Sequence, residues 1–215
     1  MGKNLEQLVQ VARDLQVAGV DAVFFGGATV GLHLDRPGFA ERPTDDVDCV
    51  PLAVDGYQDM NALDGRLAAA GWKHDIRPGK RNANARIAPS GVPVDFVPTY
   101  TMAPDDPVVL AHREEVEVAP GLLITIIDPA GMMAAKLAAF RDRGAADIWT
   151  SHDLEDLAVL LAYCSRSETS VEAAPDSVKA AIREGWRKMT RDELYAMAAH
   201  VDPVDVVERA RRLAR

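Results

Sequence analysis

The chain has 215 residues, 48% of them hydrophobic and 27% charged, with a formal net charge of −9. This composition is typical of a folded domain with an ordinary apolar core. The acidic balance argues against broad, non-specific nucleic-acid binding, although it allows a local basic patch. No apolar run approaches the roughly 20 residues of a membrane-spanning helix, so we expect no membrane partner.

The cysteines and the N-terminal segment predict the compartment. Cys49 and Cys164 form neither a disulfide framework nor a metal-binding spacing. The first ten residues, MGKNLEQLVQ, lack the apolar stretch of a secretory signal. We therefore expect a reduced, cytoplasmic compartment.

Hydrophobic periodicity predicts a mixed first half and a helical second half. In chain order we expect helix 4–18, strand 22–25, helix 28–34, strand 46–50, helix 56–70, strand 72–76, a hairpin of 85–88 with 92–97, and short strands near 116–118 and 122–124. The second half predicts helices around 132–140 and over 153–163, 176–188, 191–200 and 203–214, with Asp176, Thr190 and Asp202 as N-caps.

This order of elements predicts an α+β fold. Its core, 1–127, would be a small mixed β-sheet flanked by helices, and the helical C-terminal part, 128–215, would pack on that core.

A glycine pair follows the first strand. Gly26 and Gly27 end the apolar run Val23-Phe24-Phe25 and precede a helix-compatible segment. Because glycine has no Cβ, backbone N–H groups at such a turn can approach a phosphate closely. A glycine pair after a strand is, however, usually only a turn.

Three aspartates lie on predicted strands. Asp46 and Asp48 are two residues apart, so their side chains leave the same face of a strand and can bind a divalent cation together. Asp95 has only apolar neighbours in its own strand, where a lone carboxylate is costly unless it meets a cation or a donor. If the two strands are adjacent, the three aspartates form a site suited to two-metal catalysis. A D-x-D pair alone is more often a surface feature, so the prediction depends on the whole arrangement.

Other catalytic patterns are missing from the sequence. The five histidines are scattered without an H-x-x-x-H pair, which disfavours a zinc hydrolase. There is no G-x-x-x-x-G-K-[ST] motif, so the chain is not predicted to be a P-loop NTPase.

The glycine pair and the three aspartates together resemble the DNA polymerase β-like nucleotidyltransferase superfamily, over about 20–100. Two further patterns resemble abortive-infection-type toxin nucleotidyltransferases. One is Arg42-x-Thr44-x-Asp46-x-Asp48; the other is a K-L-x-A…R…D-x-x-D-L pattern that begins at Lys136 and runs through Asp153-Leu154-Glu155-Asp156-Leu157.

This resemblance implies transfer of a nucleoside monophosphate from an NTP to a hydroxyl group, with Mg²⁺ or Mn²⁺ as cofactor. Asp46, Asp48 and Asp95 would bind the metals, and Gly26, Gly27, Thr29 and Lys136 would contact the nucleotide. Asp153 would lie behind Lys136 or on the substrate side.

The acceptor stays open at this stage. It could be RNA or a protein, as in toxins that pair with an antitoxin protein, or a small molecule of the aminoglycoside type. A non-catalytic binding module is a third alternative, because Ala28 stands where the superfamily often has Ser or Thr.

Overall fold

The computed structural model describes residues 2–36, 42–52, 54, 56–77, 83–98, 112–144, 147–201 and 206–215. These residues form two compact units. The first unit is drawn from 1–29, 42–107 and 114–126, and the second from 30–41, 108–113 and 127–215. No helix in the described ranges is both long and apolar enough to cross a membrane.

A seven-stranded mixed sheet dominates the first unit. The strands are β1 (Ala22–Phe25), β2 (Val47–Pro51), β3 (Lys73–His74), β4 (Ala85–Ile87), β5 (Pro93–Phe96), β6 (Arg113–Ala119) and β7 (Leu122–Ile127), in the spatial order β3-β4-β5-β2-β1-β7-β6. Strand β2 pairs antiparallel with β1 and parallel with β5, while β1 pairs parallel with β7. The central strands therefore come from separate parts of the chain.

Among the described residues of the first unit, Lys3–Ala18 form helix α1 and Tyr57–Ala69 form helix α3. Helix α3 lies against one face of the sheet, since Asp64 on α3 pairs with the buried Arg86 of β4. On that face Val47, Cys49 and Val94 are fully buried. Side chains alternate along a strand, so Asp48 and Asp95 project from the opposite face.

The second unit is built from helices. They are α2 (Val30–His33), α4 (Pro129–Ala139), α5 (His152–Tyr163), α6 (Ser167–Ala173), α7 (Asp176–Arg187), α8 (Arg191–Ala198) and α9 (Val206–Leu213). Its apolar interior includes Met132, Leu157 and Ile182, all fully buried. Gly185 allows α7 to approach α4 closely, because a Cβ there would lie 2.9 Å from a methyl carbon of Leu137.

The α+β fold is confirmed, and several element boundaries differ from the predictions. The segment predicted as helix 28–34 divides into a 3₁₀ turn, Gly27–Thr29, followed by α2. Strand 72–76 shortens to Lys73–His74. Helix α6 was not predicted, because its seven residues, SETSVEA, carry too few apolar side chains to show a period.

The predicted helix caps have different outcomes. Thr190 caps α8 in a capping box with Glu193, as predicted. Asp176 is instead the first helical residue of α7, with Pro175 at the N-cap. The cap predicted at Asp202 lies outside the described residues. The division of the chain between 127 and 128 stays a prediction.

Candidate active site

The turn after β1 is shaped around an aspartate. Gly26 has φ = 77°, a left-handed conformation that side chains other than glycine rarely adopt. A Cβ at Gly26 would overlap the Asp48 carboxylate, with the Asp48 Cγ only 3.0 Å away. Phe25, the residue before Gly26, is the register partner of Asp48 in β2, so the pairing of β1 with β2 places Asp48 beside this turn. The first predicted glycine and the second predicted aspartate are therefore in direct contact.

Gly27 meets the segment that leads into β2. A Cβ at Gly27 would lie 2.8 Å from both Arg42 Nη2 and Thr44 Cγ2. Asn4 on α1 fixes this segment, because its side-chain amide donates to the Arg42 carbonyl and its oxygen accepts from the Thr44 N–H, both at 2.9 Å. The Thr44 hydroxyl donates to the Asp46 carbonyl at 3.1 Å. These bonds give the R-x-T-x-D part of the sequence pattern a positioning role.

Two of the three predicted aspartates are neighbours. Asp48 of β2 and Asp95 of β5 are register partners on adjacent parallel strands, which places their backbones about 4.8 Å apart and their side chains on the same face. Asp46 lies one residue before β2. All three side chains are half-buried, so a ligand can reach them.

The electrostatics of the site agree with this proximity. Cys49 directly follows Asp48 in β2, and its side chain points to the face of the sheet opposite the carboxylates. Burial raises the pKa of the Cys49 thiol well above its usual range, and the negative charges of Asp48 and Asp95 raise it further. Two half-buried carboxylates held side by side repel each other, and a bound cation would relieve that repulsion.

The residues present fit a hard divalent cation. Among the described residues, no three His, Cys, Asp or Glu side chains form a group that could hold a metal ion by themselves. Magnesium is, however, commonly bound by one or two carboxylates together with substrate phosphates and water. The Asp48–Asp95 pair offers the oxygen donors that such an ion prefers.

Thr29 and Ala28 lie inside the turn. Both are buried, and the Thr29 hydroxyl donates to the Gly26 carbonyl at 3.1 Å. This bond braces the turn that holds Gly26 against Asp48. Contact between Thr29 and a nucleotide stays a prediction.

Lys136 lies in a buried ion cluster of the second unit. Its ammonium group on α4 is 3.2 Å from an Asp153 oxygen and 2.5 Å from an Asp156 oxygen, both on α5. All three side chains are at most 6% exposed. The cluster thus joins α4 to α5, and it gives the K…D-x-x-D pattern of this chain a structural role. The predicted contact of Lys136 with triphosphate stays a prediction.

Sequence reasoning missed three residues that shape the first unit's site. Asn4 fixes the segment that leads into β2. Asp75 and Arg77, which follow β3, form a two-pronged ion pair in which Arg77 Nη2 is 2.6 Å from Asp75 Oδ2 and Arg77 Nε is 2.9 Å from Asp75 Oδ1. An uncharged amide near the N-terminus gave no signal. Arg77 matches no motif, and its fixed orientation depends on Asp75, whose burial the sequence does not show.

Comparison with known proteins adds evidence on the fold. No protein-family model and no curated protein matches the chain. A crystal structure of an antigenic nucleotidyltransferase-like protein from Paracoccidioides brasiliensis matches it with a TM-score of 0.55 at 17% identity, covering 95% of this chain and 96% of that chain. ANT(2″)-Ia in complex with adenylyl-2″-tobramycin matches with a TM-score of 0.52 at 12% identity, covering 84% and 97%. The chain therefore has the fold of nucleotidyltransferase-like proteins.

Proposed function

We propose that this protein is a metal-dependent nucleotidyltransferase that transfers a nucleoside monophosphate from an NTP to a hydroxyl acceptor and releases pyrophosphate. The observation that carries the proposal is the Asp48–Asp95 pair on adjacent strands, set directly against the Gly26 turn. The likeness to nucleotidyltransferase-like structures supports the same reading.

Each residue of the site has a defined part in this proposal. Asp46, Asp48 and Asp95 would hold Mg²⁺ or Mn²⁺, which when bound would neutralise triphosphate charge and lower the pKa of the acceptor hydroxyl. Gly26 and Gly27 would bring backbone N–H groups to the phosphates. Thr29 and Lys136 are proposed as further nucleotide contacts.

The transfer is a single displacement at phosphorus. The acceptor oxygen forms a bond to the α-phosphorus of the NTP, and the bond from that phosphorus to the oxygen bridging the β-phosphate breaks. Pyrophosphate leaves with the bond's electron pair. The hydroxyl proton passes to the Asp95 carboxylate or to water, because Asp95 would lie on the acceptor's side of the pair. In-line positioning of both reactants, together with electrostatic stabilisation of the transferred group, accounts for most of the acceleration in such reactions.

The acceptor is proposed to be RNA or a protein, as in a toxin-like enzyme with a possible antitoxin partner. This extends the resemblance of the K…D-x-x-D pattern, which here forms the Lys136 cluster. A second candidate is a small-molecule adenylyltransferase, favoured by the likeness to ANT(2″)-Ia in complex with an adenylylated tobramycin. A non-catalytic binding module that keeps this fold is the third.

The test is transfer of label from α-³²P-labelled NTPs, with Mg²⁺, to total RNA, to a cell lysate and to tobramycin. Asp48→Ala and Asp95→Ala should each reduce transfer by at least about 10²–10³-fold. Asp21→Ala is the matched control, since Asp21 is an exposed aspartate of the same unit, and it should leave transfer unchanged. Wild-type rates in either site variant would refute the proposal.

The same samples separate the candidates. Toxicity on expression that Asp48→Ala relieves would favour the toxin-like enzyme, and labelled tobramycin would favour the small-molecule enzyme. No thermal shift with saturating Mg·ATP would favour the non-catalytic module.

A further inference from the structure

A row of register partners runs across the sheet through Asp48 and Asp95. At the edge strand β3 this row ends in an ion pair. Asp48 is the register partner of Asp95, and Asp95 is the partner of Ala85 in β4. The β3–β4 pairing continues to Asp75, whose N–H donates to the Ala85 carbonyl at 3.0 Å. Register partners point to the same face, so Asp75 shares the face of Asp48 and Asp95.

Asp75 holds Arg77 in a fixed orientation. The Asp75 side chain is 0% exposed, whereas the Arg77 side chain is 53% exposed. Both Asp75 oxygens accept from the guanidinium, and Oδ1 also accepts from the Arg77 backbone N–H. A two-pronged bond of this kind fixes the plane of the guanidinium. Arg77 is thus a preoriented cation that solvent and ligands can reach.

The guanidinium lies within electrostatic reach of the proposed site. Its hydrogen bonds to Asp75 raise the pKa of Arg77, and the charges of Asp46 and Asp95 contribute to the same rise. Between Asp95 and Asp75 the row holds only the small side chain of Ala85. Lys73 stands two residues before Asp75 on the edge strand and is exposed, so it adds a second positive charge on this face.

The two ends of this row differ in the groups that lie there. At one end the Gly26 turn, where the triphosphate is proposed to bind, contacts Asp48. At the other end, beyond Asp95, lies Arg77. A group bound by Arg77 is therefore about two strand spacings, or roughly 10 Å, beyond the aspartate that would face the acceptor.

We infer that Arg77, positioned by Asp75, binds a phosphate group of the acceptor. This rests on the proposed function, and it names the acceptor's chemistry as anionic. Guanidinium groups bind phosphate oxygens through charge-assisted hydrogen bonds. A polycationic acceptor would instead meet two like charges, Arg77 and Lys73, at the edge of the site. The phosphate belongs either to an RNA chain or to a small phosphorylated molecule.

Binding measurements test the inference without depending on turnover. The probes are a short fluorescein-labelled single-stranded RNA, the same sequence with neutral methylphosphonate linkages, cytidine 5′-monophosphate as competitor, and Mg·α,β-methylene-ATP. Arg77→Gln should weaken binding of the charged RNA about tenfold and reduce the slope of log K against log salt by about 0.7. Affinity for Mg·α,β-methylene-ATP should change less than twofold.

Two further variants test the positioning role of Asp75. Arg77→Lys keeps the positive charge but loses the planar, two-pronged geometry of the guanidinium. It should therefore weaken RNA binding by a factor between those of wild type and Arg77→Gln. Asp75→Asn should do the same while keeping the full salt slope, because Arg77 remains charged. The matched control is Arg66→Gln, which removes an exposed arginine of the same unit whose Nη1 donates to the Gly19 carbonyl. It should leave RNA binding within twofold.

The outcomes separate clearly. If cytidine 5′-monophosphate displaces the labelled RNA, the bound phosphate is assigned to a small molecule. If only charged RNA displaces it, the phosphate is assigned to an RNA chain. Both results support the inference. Equal loss in Arg77→Gln and Arg66→Gln, or loss of nucleotide-analogue binding in Arg77→Gln, would overturn it.

Failure of this inference is distinguishable from failure of the proposed function. If labelled transfer depends on Asp48 and yet Arg77→Gln behaves like wild type toward RNA, only the role of Arg77 is wrong. If neither Mg·ATP binding nor transfer occurs, the proposed function fails first.

Discussion

Two charged clusters of this molecule combine aspartates with a basic residue in opposite surroundings. In the first unit Asp48 and Asp95 are half-buried, and the nearby cation, Arg77, is 53% exposed. In the second unit Lys136 meets two aspartates, Asp153 and Asp156, and none of the three is more than 6% exposed. The first cluster leaves carboxylates where a ligand can reach them. The second satisfies its charges inside the protein, as a connection between helices.

The largest expected effect breaks the buried cluster. Lys136→Met should lower the free energy of unfolding by about 3–5 kcal/mol, because it leaves two buried carboxylates without their cation. Urea unfolding measures this. The control Lys188→Met removes an exposed lysine that pairs with Glu184 four residues earlier, and it should cost less than about 0.5 kcal/mol. Equal losses in the two variants would mean that burial does not distinguish the clusters.

The next largest effect on stability is expected from a substitution that strains the turn beside the carboxylate pair. Gly26→Ala should destabilise by about 2 kcal/mol or more, because the backbone is left-handed there and the new methyl group would displace Asp48. Gly65→Ala is a matched control in α3, where a Cβ meets nothing within 4 Å, and it should stabilise by about 0.5–1 kcal/mol. Thermal unfolding of both would measure the difference. A tolerated Gly26→Ala would show that Asp48 is not held by this turn.

Neutralising one carboxylate of the exposed cluster should act in the opposite direction from Lys136→Met. Asp95→Asn should raise the free energy of unfolding in EDTA by up to about 1 kcal/mol, since it removes repulsion between like charges on adjacent strands. In wild-type protein Mg²⁺ should raise the melting temperature, because a ligand that binds only the native state stabilises it. Asp95→Asn should lose most of that rise. A Mg²⁺ response equal to wild type would exclude Asp95 as a ligand.

The smallest effect uses the two cysteines as local reporters. Cys49 is the residue after Asp48 in β2, and Cys164 follows α5, which carries Asp153 and Asp156. Burial raises the pKa of both thiols, so native protein at pH 8 should react slowly with a thiol reagent. Lys136→Met should accelerate labelling of Cys164 more than that of Cys49, because local opening is confined to the weakened helices. Mass spectrometry of the two peptides gives the ratio. Equal acceleration would indicate that the two units unfold together.

Prediction from sequence succeeded where the signal was periodic or local. The bounds of α1 and β1 were predicted almost to the residue. A regular apolar face predicts a helix, and a short apolar run predicts a buried strand, from the local sequence alone. The capping box at Thr190 was readable for the same reason. The adjacency of Asp48 and Asp95 was stated only as a condition, since strand pairing between distant segments leaves no local pattern.

What sequence reasoning missed has a physical explanation. Asn4 acts through two hydrogen bonds to a segment 38 and 40 residues away, and no periodicity reports such contacts. Arg86 is 4% exposed and paired with Asp64, and no sequence pattern indicates that burial. Arg77, from the same stretch, is fixed by a buried aspartate two residues away. Charge is visible in a sequence, whereas burial of a charge depends on which strand becomes its neighbour.

Gly27 carries a consequence for how this sequence can vary. Its φ needs no glycine, and the side chains nearest to the position of a Cβ at this residue are those of Arg42 and Thr44. Position 27 is therefore coupled to 42 and 44, and the three should change together among related sequences. Smaller residues at both 42 and 44 would permit alanine or serine at 27, while Gly26 would remain fixed by its left-handed backbone. Of the two adjacent glycines, Gly26 is therefore required by its backbone conformation, whereas Gly27 can be replaced when residues 42 and 44 change with it.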